Sequence, residues 1–410
     1  MLYDVIVVGA GASGLVAAIH SADNKKVLLV EANAKIGKKL LATGNGKCNL
    51  SNKNIDISHY YGDNSQTKGI LQNFPCEKIC DFFEEIGIKT FADVQGRVYP
   101  KSEQALTVVK TLSDICSEKN VDCKLNFEVE DIKKEDGIFT LYSSNGEYIC
   151  GKKVILSVGG KASPKLSGSL KGYDLAQKLG HSVTDLYPVL TGFTSDEKYL
   201  KALSGVRAKC TASLVKNNQI LKSEKGEVIF GKNSVSGICV FNLSIIGAKE
   251  LVNKGKFSLD LDLCDITHDE IVNYITKLIK IRPFMKSGDL LNGLVNMKLG
   301  YEIIKMCKID NLLEAERLKE SQIENIAFKL KHFRVSVKGL KSYEDAQLTS
   351  GGVPLKEVDT ITMQSKICPN LYITGEVLNI HGDCGGYNLH FAWATGIIAG
   401  KSASEKVIFK

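Results

Sequence analysis

The positions best suited to chemistry begin nine residues into the chain. Gly9-Ala10-Gly11-Ala12-Ser13-Gly14 precedes an acid, Glu31, that lies 20 residues beyond Gly11. Glycine at this spacing lets the backbone turn tightly at Gly9, lets a pyrophosphate approach at Gly11 and lets a helix pack closely at Gly14. The N–H groups of Ala12, Ser13 and Gly14 would then stand at a helix start, where unpaired donors and the helix dipole favour an anion. Glu31, with Ala32 beside it, would accept hydrogen bonds from adenosine ribose hydroxyls and repel a 2′-phosphate. The pattern predicts a dinucleotide and does not by itself separate FAD from NAD.

Two further stretches could contact the rest of such a ligand. Gly37-Lys38-Lys39-Leu40-Leu41-Ala42-Thr43-Gly44-Asn45-Gly46-Lys47-Cys48-Asn49 is a Gly/Lys/Asn loop directly after the ribose acid. Its N–H groups, with Lys38, Lys39 and Lys47, are suited to phosphate, and Gly44, Gly46, Cys48 and Asn49 are compact enough for a flat ring; a solvated basic loop is the plain alternative. Near the other end, Gly375-Glu376 closes a short apolar run and leads to His381-Gly382-Asp383-Cys384-Gly385-Gly386-Tyr387-Asn388-Leu389 and a small-residue helix. A further apolar run, Val154-Ile155-Leu156-Ser157-Val158-Gly159-Gly160, ends in paired glycines. For acid or base work the candidates are His381, Tyr387, Cys48 and His332. Each has a simpler reading: a hydrogen-bonding histidine, a packing tyrosine, a small buried cysteine and, for His332 with Arg334, a surface cation. Arg334 could otherwise hold an anionic substrate. No catalytic residue is assigned.

These segments resemble parts of known flavoproteins. In the two-part FAD fold of the glutathione-reductase class a late strand ending in Gly-Asp meets the ribityl chain, and Gly375-Glu376 is similar to it. There the next helix aims its N-terminus at the pyrimidine end of the flavin, which implies that the Gly385-Gly386-Tyr387-Asn388-Leu389 turn supplies backbone donors to N1 and O2, with Asp383 also a cofactor-binding residue. Ser157, Gly159 and Gly160 resemble the "ATG" strand of such proteins. More closely, Gly9–Gly14 with Glu31, Gly37–Asn52, Gly159–His181, Thr349–Leu355 and Gly375–Gly400 resemble the BaiN/aminoacetone-oxidase-like family of NAD(P)/FAD-dependent flavoproteins. The resemblance implies non-covalent FAD, a backbone contact to adenine at Val129, and NAD(P)H as a transient electron donor, since a second GxGxxG is absent. It also implies an FAD-dependent oxidoreductase transferring hydride to or from a small organic molecule. The reaction would be NAD(P)H-dependent reduction of an activated C=C bond or, alternatively, amine oxidation with peroxide release. An RNA-modifying flavoprotein and a non-catalytic flavin sensor are alternatives of other classes. Two departures stand out. Relatives usually carry Gly-Gly-Gly-Arg-Cys-Asn where this chain has Gly44-Asn45-Gly46-Lys47-Cys48-Asn49, which loses a bidentate fork. The family's Phe-Thr-His segment is Phe230-Gly231-Lys232 here.

The elements that must position these residues follow from pattern. Val5–Val8 and Val27–Val30 are continuous β-branched or aliphatic runs, as expected of parallel strands buried on both faces. Residues 70–120 carry helical spacing, and 121–150 read as short strands with a turn at Asn145-Gly146. From about 191 the character changes: 210–215, 228–230 and 257–263 suggest an antiparallel sheet or small barrel. Thr267-His268-Asp269-Glu270 is a capping-box start for a helix that stops before Pro283. The expectation is an α/β protein: a Rossmann-like FAD-binding domain with a parallel central sheet (1–190 and 337–410), and an inserted domain over the flavin (191–336), β-rich over 191–265 and helical over 266–336.

Composition sets the outer limits. The 410 residues are 44% hydrophobic and 24% charged, enough apolar material for a folded core. A net charge of +7 without a long basic block argues against nucleic acid as a partner. The 12 cysteines form no CxxC pair and no zinc-finger spacing, so no metal is expected. The opening Met1-Leu2-Tyr3-Asp4 has no basic n-region, and Val5–Ile19 falls short of the roughly 20 residues of a membrane span. A cytoplasmic protein with reduced thiols is expected.

Overall fold

The computed structural model describes residues 1–405. It divides into two compact units, residues 1–187 with 347–410, and residues 188–346.

In the first unit, β1 (Leu2–Val8), α1 (Ala12–Ser21) and β2 (Val27–Val30) form the expected strand, helix and strand. β1 and β2 run parallel with Val8 opposite Val30. A nine-residue strand, β3 (Tyr148–Leu156), lies on the other side of β1, also parallel, with Leu156 opposite Val8. β3 divides its free edge between two neighbours. Its first half pairs antiparallel with Ile138–Ser143, and its second half pairs parallel with β4 (Leu371–Ile373), Leu156 facing Ile373. The sheet is therefore parallel at its centre and carries an antiparallel hairpin at one side.

This register decides where chemistry can occur. Val8, Val30, Leu156 and Ile373 are aligned, so the segments following all four strands leave from one carboxyl edge. Those segments are the glycine turn, Glu31, Ser157–Gly160 and Thr374–Glu376. An open parallel sheet binds ligands outside its carboxyl edge.

The closing helix, α2 (Tyr387–Ser404), packs on α1. Glycine is needed at this crossing: a Cβ on Gly396 would lie 2.4 Å from the Ser13 carbonyl oxygen, and one on Gly400 2.5 Å from that of Ala17. Trp393 is fully buried in the same helix and donates its indole N–H to the Leu50 carbonyl at 3.0 Å. Within 70–120 the helical spacing is interrupted by a hairpin, Thr90–Ala92 with Arg97–Pro100, between helices Cys76–Glu85 and Ala105–Glu118. Phe91, Val98 and Tyr99 give that stretch strand character that a window tuned to 3.6 residues overlooks.

The second unit holds a seven-stranded antiparallel sheet in which Arg207–Lys216, Gln219–Phe230 and Ser258–Asp262 are long members. The stretch 191–265 is not uniformly β: Ile238–Val252 is a 15-residue helix, its Cys239, Val240, Leu243 and Gly247 buried at helical spacing. The capping box forms as expected, Thr267 Oγ1 accepting from Glu270 N–H while the Glu270 carboxylate accepts from Thr267 N–H. That helix ends at Ile281. Among the described residues no helix is long and apolar enough to cross a membrane.

Candidate functional site

The three glycines of the first turn are required for different reasons. Gly9 has φ +98°, and a Cβ there would sit 2.5 Å from the Ser157 carbonyl oxygen. A Cβ on Gly14 would sit 1.8 Å from the Gly9 carbonyl oxygen. Both are therefore fixed by packing. Gly11 is not: its φ is an ordinary −84°, and a Cβ would meet nothing within 4 Å. It is the N-cap of α1, no side chain caps it, and the first turn carries no acid. The N–H groups of the helix start are thus uncapped by any side chain, an arrangement that suits an anion.

Glu31 is held rigidly at the adjoining strand end. One carboxylate oxygen accepts from Ala10 N–H at 2.8 Å, the other from the N–H and side-chain amide of Asn33 at 2.9 and 2.7 Å. Lys38 reaches Asn33 Oδ1 at 3.4 Å. At the third strand end, Ser157 Oγ lies 2.7 Å from Thr374 Oγ1, tying the third and fourth strand ends together. Gly159, with φ +71°, again faces open space. Gly160 abuts the Glu376 carboxylate, which accepts from Lys39 Nζ at 2.6 Å and from Thr349 N–H at 3.1 Å. Gly375 packs on Ser13. Ala12, Ser13, Glu31, Lys39, Gly159, Gly160, Gly375 and Glu376 thus line one edge. Val129 lies in the flanking hairpin, buried and opposite Ser143.

The Gly44–Asn49 loop is wound unusually. Gly44, Asn45, Gly46 and Cys48 all have positive φ, a conformation that costs a non-glycine residue of order 1 kcal/mol. Lys47 points away to an exposed ion pair with Glu103. Asn49 carries out a task that its sequence context conceals. With its amide oriented to satisfy both ends, its nitrogen donates to the carbonyls of Val98 and Ser51, and its oxygen accepts from Gly386 N–H at 3.1 Å. Asn49 therefore fastens the glycine turn before α2, and Gly386 N–H is engaged within the protein.

The residues considered for proton transfer differ from expectation in one case. His381 does not titrate near neutrality: burial pushes it down to about 4, so it stays uncharged, and its Nδ1 has no hydrogen-bond partner. Cys48 is fully buried, and burial pushes its thiol up to about 12, which keeps it protonated. The Tyr387 ring is a packing element, stacked on His59 with centroids 4.4 Å apart. Asn388 folds back, its amide bonding the N–H and C=O of Gly382 and the carbonyl of Asp383. In the second unit, His332 and Arg334 both approach one Asp260 oxygen at 3.2 Å and are half exposed.

A sequence profile described as the HI0933-like protein Rossmann domain matches residues 3–402. The chain belongs to the HI0933-like family. A 3-dehydro-bile acid delta(4,6)-reductase from Clostridium scindens is 32% identical to this HI0933-like chain, covering 98% of each sequence. A ribosomal RNA dihydrouridine synthase from Escherichia coli is 26% identical, over 98% of this chain and 99% of its own. Among solved structures, the 3-ketosteroid delta1-dehydrogenase of Sterolibacterium denitrificans matches with TM-score 0.53 at 12% identity, covering 98% of this chain and 99% of that one. That last likeness extends to the fold alone.

Three residues packed beside the turn into α2 carried no signal in the sequence: His59, Tyr61 and His390. His390 is fully buried in the first turn of α2; its Nε2–H donates to the Phe74 carbonyl and its Nδ1 accepts from Ser51, both at 2.8 Å. A neutral ring satisfies both bonds, and burial pushes the group down to about 4. A folded-state value below the unfolded value of 6.5 gives stability that is complete above pH 6.5 and is lost progressively as pH falls from 6.5 to about 4. Thermal unfolding from pH 7.5 to 4.5 should show Tm falling steeply, with His390 contributing on the order of 3 kcal/mol. In His390→Gln the slope should be shallower.

Proposed function

We propose that the chain is an FAD-dependent reductase that saturates a C=C bond conjugated to a carbonyl group in a small organic substrate. The observation that carries the coenzyme part of this reading is Gly11. It has ordinary dihedrals and open space where a Cβ would be, at a helix start and between two glycines fixed by packing, which supports close approach of a pyrophosphate there.

The residues present fit such a coenzyme. The N–H groups of Ala12, Ser13 and Gly14 would hold the pyrophosphate, and Glu31, immobilised by Ala10 and Asn33, would accept from the ribose hydroxyls. Val129 would border the adenine. Lys39, paired with Glu376, would set the polarity beside the ribityl chain, while Gly160 makes room for that carboxylate and Gly159 leaves the edge beside it without a side chain. The turn Gly385–Gly386, fastened by Asn49, would bring the first turn of α2 to the pyrimidine end, where its dipole favours negative charge. The bound flavin would supply hydride, and the protein would supply position and electrostatics.

The substrate class is supported by the activities for which the two relatives are named. A 3-dehydro-bile acid with 4,6 double bonds is a conjugated ketone, and dihydrouridine is the product of saturating the C=C bond conjugated to the uracil carbonyl. The nearer identity is to the former and favours a small enone, with NAD(P)H as the transient electron source. In the test, anaerobic protein carrying FAD is mixed with NADH or NADPH, then with a steroid dienone, with ribosomal RNA lacking dihydrouridine, or with oxygen. Bleaching by a nicotinamide and recolouring by the dienone is the expected outcome. Recolouring by RNA alone would move the substrate to the nucleic acid, and bleaching by aminoacetone with peroxide release would overturn the reductase reading.

A further inference from the structure

A two-stranded antiparallel ribbon, Tyr60–Gly62 with Ile380–Gly382, brings together two segments that no motif links. It aligns His381 with Tyr61 and Gly382 with Tyr60, so that the residues just outside the ribbon, His59 and Asp383, also face each other. Asp383 N–H donates to the His59 carbonyl at 2.9 Å. Asp383 Oδ2 accepts from His59 Nδ1 at 3.0 Å, and Oδ1 accepts from the Tyr61 hydroxyl at 3.1 Å. The Asp383 side chain is 8% exposed and that of His59 34%. The imidazole rests against the Tyr387 ring on one face. Asp383 and Tyr387 flank Cys384-Gly385-Gly386, the turn that enters α2.

These contacts form a buried carboxylate that fixes a partly open imidazole by one nitrogen. A carboxylate at Nδ1 selects the tautomer with the proton on that atom and leaves Nε2 as the atom that exchanges protons. Tyr387 stacking and the Tyr61 bond restrict both ring and carboxylate, which is more constraint than a surface histidine needs. The neighbouring candidates do not match this role: His381 is uncharged and enclosed, and Cys48 is held as a thiol by burial.

We propose that His59 is the proton donor of the reduction and that Asp383 is its positioning residue. The proposal rests on the reductase reading. Saturating a conjugated C=C bond adds a hydride at the β-carbon and a proton at the α-carbon. The electron pair originates from NAD(P)H through the flavin, and the proton comes from His59 Nε2. A neutral imidazole remains, its Nδ1–H still on Asp383, and it regains a proton from water at its exposed edge.

The test separates this proposal from the reading beneath it. In His59→Gln and Asp383→Asn, FAD content and flavin bleaching by NAD(P)H are measured beforehand, so that recolouring is compared on fully reduced flavin alone. Recolouring by a steroid dienone should slow by about 100-fold or more in the first and by about 10-fold in the second, and imidazole added to His59→Ala should restore part of the loss. If wild-type protein is not recoloured by any enone, the reductase reading fails. If it is, and His59→Gln recolours as fast, the proton-donor assignment fails. A readout independent of turnover is the ring nitrogen spectrum of ¹⁵N-histidine protein. The neutral His59 ring should carry its proton on Nδ1 in the wild type and lose that preference in Asp383→Asn. A neutral ring protonated at Nε2 in the wild type would overturn the positioning role.

Discussion

Gly11→Val should yield a folded protein that no longer binds FAD. The new side chain enters space that no protein atom occupies within 4 Å of the Cβ position, so the core is untouched. Replacing the glycine N-cap of α1 costs roughly 1 kcal/mol of stability. The same side chain would stand where the pyrophosphate must approach the helix start, and affinity for FAD should fall at least about 100-fold, or about 2.7 kcal/mol. Gly14→Ala provides the contrast. One methyl group there would meet the Gly9 carbonyl oxygen at 1.8 Å, so α1 must move off the sheet. That variant should lose several kcal/mol, on the order of the largest single-substitution effects, whether or not FAD is present. Circular dichroism and thermal unfolding without FAD, followed by titration with FAD, distinguish the two. Equal losses of stability in both variants would mean that Gly11 is structural after all.

Gly386→Ala should be nearly as damaging at the opposite end of the chain. Gly386 has φ +101°, and an added Cβ would lie 2.2 Å from the Ser51 carbonyl oxygen. Neither backbone can yield easily. Ser51 belongs to a strand paired with Val98, and Gly386 N–H is held by Asn49. The positive φ alone costs an alanine of order 1 kcal/mol, and relieving the clash breaks the Asn49 bond as well, for a total of about 3 kcal/mol or more. Because Asp383, Tyr387 and Asn388 are tied to the same turn, retention of FAD should fall together with stability. Thermal unfolding with and without FAD checks this. A variant of wild-type stability would contradict the role assigned to the turn.

The parts that were legible in the sequence are those whose signals are local. The strand, glycine turn, helix and acid of residues 4–31 lie within one continuous segment, and each glycine's task follows from the turn itself. The runs ending at Leu156 and Ile373 were legible as buried strands, and their common edge follows once they are parallel to β1. What pairs across the chain was not legible. Asn49 looks like a ligand-contacting amide in its own loop, and only the approach of Gly386 reveals that it holds a turn. His59 and Asp383 are 324 residues apart, and no pattern at either place announces the other. Burial was equally hidden: His381 sits among polar and glycine residues that suggest an open loop, while the structure encloses it in a ribbon. The helix Ile238–Val252 was overlooked because the strands around it dominated the reading of that region.

The coenzyme is expected along the edge where β1, β2, β3 and β4 end. Titrating FAD into protein stripped of small molecules, in parallel for the wild type and Gly11→Val, tests this directly, with bound flavin read by its absorbance and by quenching of its fluorescence. Stoichiometric uptake by the wild type and none by the variant is the expected result. A wild-type chain that stays colourless, or a variant that binds FAD equally well, would contradict it.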